Sequence, residues 1–167
     1  MYTRFTKLCS TTVFASALTL SGAGVASAQN AVRPVADSGI VRVKSAYSMV
    51  ETVERLKSDV AAKGIRFFME IDQAKLASDA GVSLRPSTLL IFGNPPLGTL
   101  FIAANPLAGL DWPVRLLVLE DEQGDVWAAY TDFSHIAHRH AVTGAAAEAF
   151  AKASGVIASI TSTVKAQ

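Results

Sequence analysis

Apolar and charged residues alternate through Ile40-Val41-Arg42-Val43-Lys44, the period-two pattern of a half-exposed strand. The period then lengthens. Ser48 and Glu51 have the spacing of a capping box. Val53, Leu56 and Val60 fall on one face of the helix they would open, and Gly64 is placed to end it. Lys57, Asp59 and Lys63 lie off that face and read as solvated charge. Arg66 to Asp72 predicts a second strand, followed by a short helix over Gln73 to Ala80 that stops at Gly81. Leu89 to Phe92 is apolar without alternation and predicts a strand buried on both faces. Gly93 breaks it. Asn94 is a good N-cap, and Pro95 takes the first helical position, where a missing N–H costs nothing. Leu97, Leu100, Phe101 and Ala104 keep helical spacing until Asn105-Pro106 ends the helix.

Arg115 to Glu120 and Val126 to Thr131 predict a hairpin, with the Gly and Asp that its turn needs in Asp121-Glu122-Gln123-Gly124-Asp125. The segment after Asp132 reads as exposed loop. Thr143 is the expected cap of a last helix whose apolar stripe is Ala146, Ala149, Phe150, Ala153, Ile157, Ile160 and Val164. Gly155 weakens that helix by about 1 kcal/mol relative to Ala. Strand, helix, four strands with a helical insertion, helix: this order predicts an α+β domain with helices on one face of an antiparallel sheet.

The residues before Ile40 follow a different pattern. Arg4 and Lys7 precede an apolar stretch from Thr11 to Leu20, and Ser21 to Ala28 is small and ends Ala26-Ser27-Ala28. This is the layout of a cleaved secretory signal over 1–28. A membrane anchor needs roughly 18 or more consecutive apolar residues, and Ser16, Thr19, Ser21 and Gly22 interrupt the run, so no stable anchor is expected. Residues 29–38 read as a flexible leader and 39–167 as one domain. The expected location is the periplasm or outside the cell.

Cleavage near Ala28 would leave thirteen basic residues against fourteen acids, a balance that argues against a nucleic-acid partner. Cys9 would leave with the signal, taking with it any disulfide, thiol nucleophile or thiolate ligand. The sequence names no cofactor: it contains no G-x-S-x-G, phosphate-binding loop or H-E-x-x-H.

A set of short motifs in fixed order carries a resemblance. They are Glu70-Ile71-Asp72, Leu84-Arg85-Pro86, Phe92-Gly93-Asn94-Pro95 with Gly98-Thr99, and Leu110-Asp111-Trp112-Pro113. After them come Glu120-Asp121, Val126-Trp127 with Tyr130 and Asp132, and Arg139-His140. From about Val43 to the final helix the chain resembles the "domain of unknown function 302" family. The resemblance implies a fold similar to the TATA-box-binding-protein-like architecture and a homodimer, and it implies no reaction. Trp112 departs from the smaller apolar residue expected there and enlarges the wall its loop forms.

Several polar positions are candidates for chemistry. Glu70 and Asp72 point to one face of their strand and could bind a cation, although Asp72 also suits the cap of the next helix. Arg85, held extended by Pro86, could clamp an anion or pair with Glu70 or Asp72. Asn94 opens a helix whose N–H groups attract anions, though Pro95 and Pro96 remove two of those donors. Tyr130 and Asp132 share one side of their strand and could line a pocket. His135, His138 and His140 with Asp132 are a possible zinc, copper or nickel set.

Three functions follow as expectations. The first is a non-enzymatic, exported small-ligand-binding or sensing domain. Its pocket would lie between the sheet and the Asn94 helix, edged by Glu70, Arg85, Asn94, Asp111 and Tyr130, with Asp132 nearby. The second is a metal-assisted hydrolase using Asp132 with His138 or His140. The third is a homodimeric structural or interaction module.

Overall fold

The structure, a computed structural model, describes residues 38–166. The expected signal, and all of the expected leader except Ser38, lie outside the described residues. Five strands form one antiparallel sheet: β1 Ile40–Lys44, β2 Arg66–Asp72, β3 Ser87–Gly93, β4 Val114–Glu120 and β5 Val126–Thr131, in the order β1-β5-β4-β3-β2. The helices are α1 Met49–Ala62, α2 Gln73–Asp79, α3 Pro95–Ala104, α4 Phe133–Arg139 and α5 Ala145–Ser162, with a 3₁₀ turn over Pro106–Leu110.

The register explains which side chains meet. Val41, Tyr130, Leu116, Leu90 and Glu70 lie in one row across the sheet, and Val43, Ala128, Val118, Thr88 and Asp72 in another. With a side-chain period of two, both rows face the same way. That face meets Val53, Leu56 and Val60 of α1, Phe101 of α3, Phe133 and Ile136 of α4, and Phe150, Ile157 and Ile160 of α5. The fold is therefore the expected α+β one, with its core between the sheet and these four helices.

Four local expectations are corrected. β3 is not buried on both faces: Thr88, Leu90 and Phe92 are buried, while Leu89 and Ile91, on the other side, are half-buried. The loop expected after Asp132 is the helix α4, which Asp132 caps by accepting the Ser134 and His135 amides. Phe133 and Ile136 drive it into the core, a three-residue spacing obscured by the polar residues around it. Gly144, at φ 63°, replaces Thr143 as N-cap of α5 and offers no side chain to do the capping. At α3, Asn94 occupies the cap position without a side-chain bond. An N-cap side chain bonds the second or third helical N–H. Here the second residue is Pro96, and the third, Leu97, donates instead to the Asn94 carbonyl at 3.0 Å.

Candidate functional site

A glycine of α3 and the glycine that ends β3 flank the Trp112 indole. A Cβ added to Gly98 would stand 1.9 Å from the Trp112 indole Nε1, and one added to Gly93 would stand 3.1 Å from it. The indole thus takes the space that side chains at 93 and 98 would fill. Trp112 is followed by a cis bond to Pro113. Its ring also meets Phe68 edge-on, with centroids 6.2 Å apart. Phe68 is the extra residue in the β2 bulge between Phe67 and Met69. Deeper in, Phe101 stacks on Phe150 with centroids 3.8 Å apart, and Phe133 tilts against both.

These rings do not close the space beneath α3. An apolar cavity of about 40 Å³ remains, walled by Phe92, Phe101, Trp112, Phe133 and Ile157. Beside it a groove of about 530 Å³ runs between the turn joining α1 to β2, α3 and α5 and carries Lys63, Lys152 and Ser159 on its walls. Ile65, Asn94, Leu97 and Val156 line both. The result is an apolar crevice with a polar rim, the usual make-up of a small-ligand site.

Asp111 sits elsewhere. Its carboxylate side chain is only 5% exposed. It accepts Arg139 Nη1 on both oxygens at 3.0 Å, Arg115 Nη2 at 3.3 Å and His140 Nε2 at 2.7 Å. Burial by itself raises the Asp111 carboxyl pKa. The His140 hydrogen bond and the nearby Arg139 charge outweigh that and hold it below the ordinary carboxylate value. A carboxylate only accepts, so His140 presents its Nε2 proton to it. The His140 carbonyl accepts Asn105 Nδ2 at 3.0 Å. The cluster therefore ties the 3₁₀ turn to the end of α4.

The other expected site residues are scattered. Glu70 pairs with Lys57 of α1 at 2.9 Å, at the sheet's edge. Asp72 caps α2 by accepting Lys75 N at 2.8 Å. Arg85 is exposed and forms no ion pair among the described residues, so the expected pairing with Glu70 or Asp72 is absent there. Tyr130 packs in the core, where burial raises its phenol pKa and a Thr161 contact partly offsets this. Asp132 caps α4 and also accepts the Ser134 hydroxyl, the chief cause of its lowered pKa. It shares an open groove of about 580 Å³ with His135 and His138. His140 turns away to Asp111, so the three imidazoles do not converge. Among the described residues no group of three or more His, Cys, Asp or Glu is placed to hold a metal. Of the proposed pocket edge, only Asn94 lines the crevice. Lys63, Lys152 and Gly98 were missed. Their signal is topological, because nothing in local spacing brings α5 beside the turn between α1 and β2.

The family model for the domain of unknown function DUF302 matches residues 41–160. Two curated proteins, both named fluoride-specific ion channel FluC 1, come from Brucella suis biovar 1 (strain 1330) and Brucella abortus biovar 1 (strain 9-941). Each is 39% identical to this chain over 108 residues, which is 65% of this chain. The match covers 42% and 40% of their respective lengths, so this chain spans about two fifths of the curated relatives it matches. The crystal structure of an uncharacterized conserved DUF302 protein from Bacillus stearothermophilus aligns with a TM-score of 0.69 and 19% identity. It covers 77% of this chain and 99% of that one, and supports the fold.

Proposed function

Because this chain belongs to the domain of unknown function DUF302 family, whose name carries no reaction, its function has to be argued from its site; we propose that it is an exported, non-enzymatic domain that binds a small, largely apolar ligand in the crevice between α3 and α5. The observation that carries this reading is the apolar cavity beneath α3, which shares four wall residues with a larger groove. No imidazole or carboxylate lines either part among the described residues, which favours binding over acid–base chemistry. The export part rests on residues 1–28 alone.

A metal-assisted hydrolase is not carried forward, since His140 is engaged by Asp111 and Asp132 by the start of α4. Ion conduction is not carried over from the fluoride channels either. The chain matches only part of them, and no helix among the described residues is long and apolar enough to cross a membrane.

Titration with decan-1-ol, followed by calorimetry, tests the crevice. One saturable site per chain is expected, and Val156→Trp, which fills the groove from α5, is expected to weaken it at least tenfold with an unchanged circular dichroism spectrum. No saturable binding, or equal binding by the variant, would count against the reading.

A second observation favours a homodimer alongside the ligand site. β2 is an edge strand, and an edge strand presents unpaired N–H and C=O groups to a neighbour. Beside that edge Phe68 is 38% and Met69 50% exposed. A second copy of the chain is the partner proposed for it. Sedimentation is expected to show a dimer that Met69→Lys converts to monomer; a wild-type monomer at every concentration would remove the proposal.

A further inference from the structure

We infer that the ligand is a single-chain carboxylate, tail inward and head toward Lys152, an inference that rests on the crevice reading above. The inner cavity sets the tail. At about 40 Å³ it is far smaller than the roughly 150 Å³ apolar cavity that admits benzene. It suits the end of a chain and not a ring.

The rim sets the head. Lys63 and Lys152 both line the groove, and no acid lines it among the described residues. Lys63 Nζ is already paired with Asp59 at 2.5 Å, whereas Lys152 makes no ion pair among the described residues. The groove therefore keeps about one uncompensated positive charge. The Asn94 carboxamide, released from capping by Pro96, and Ser159 supply neutral hydrogen-bonding groups at the same rim. A dianionic phosphate would want more donors than these. The α3 start cannot add them, because Pro95 and Pro96 have no N–H to give. One negative charge on an unbranched apolar tail is the best match.

The test compares decanoate, decan-1-ol and decyltrimethylammonium bromide by calorimetry at pH 7.5, below the concentrations at which they aggregate. Decanoate is expected to bind at least fivefold tighter than the alcohol, and the ammonium more weakly than either. Lys152→Gln, on the exposed side of α5, is expected to erase the preference, so that the variant binds decanoate no tighter than it binds decan-1-ol. Equal binding of decanoate and alcohol, or a preference that survives Lys152→Gln, would overturn the carboxylate head while the crevice reading stands. Failure of all three probes to bind would overturn both. Co-sedimentation with phosphatidylglycerol vesicles without binding of free decanoate would make the patch a membrane contact and also overturn the inference.

Discussion

Phe150→Ala is expected to lower the stability of the domain by about 3–5 kcal/mol, read from urea denaturation followed by tryptophan fluorescence. Phe150 is 1% exposed and lies on the inner stripe of α5. Its ring stacks on Phe101 and tilts against Phe133, so one truncation removes the contact joining α3, α4 and α5. The space it would leave adjoins rings that already border the cavity beneath α3, which limits how far the site can collapse. Whole domains are stable by only about 5–15 kcal/mol, so a loss of this size would leave a partly unfolded population at ambient temperature. A change under about 1 kcal/mol, the scale of a tolerated volume-conserving swap, would show that these rings are not the centre of the core.

Asp111→Ala is the second large effect, expected at about 2–4 kcal/mol because it strands a buried His140 N–H and removes the shared partner of two guanidinium groups. Arg115 and Arg139 are half-exposed and can turn to water, which keeps the loss below that of a fully buried pair. The charge gives this prediction a pH signature. The folded Asp111 carboxyl lies below its ordinary value of 3.8, so the charged form is the one that folding favours. Its contribution is complete above the unfolded value and is lost as pH falls through the folded one. Stability measured from pH 7 down to pH 2 should therefore fall in acid more steeply for the wild type than for Asp111→Asn. Parallel curves would show that the Asp111 charge contributes nothing.

The strands and long helices were legible because their patterns are local. The alternation at Ile40 to Lys44, the Ser48 cap and the apolar stripe from Ala149 to Val164 each specify an element without reference to the rest of the chain. α4 was not legible, because its apolar face is only Phe133 and Ile136, set among three histidines. The reading of β3 erred because an unbroken apolar run does not reveal whether the second face of a sheet is covered. Of the candidate site, Asn94 was found correctly as a helix start but for a capping bond it does not make. Asp111 and His140 were both singled out, yet their partnership spans 29 positions and depends on where the 3₁₀ turn meets α4. Lys63 looked like ordinary surface charge and Lys152 carried no local signal, and only the packing of α5 beside the turn between α1 and β2 brings them to one groove.

The crevice itself is tested most directly by ¹H–¹⁵N chemical-shift mapping of the protein during titration with decan-1-ol. The largest shifts are expected at the Trp112 indole N–H and the Gly98, Leu97 and Val156 amides, with His135 and His138 unmoved. Largest shifts around Asp132 and His135, or none at saturating probe, would contradict the account.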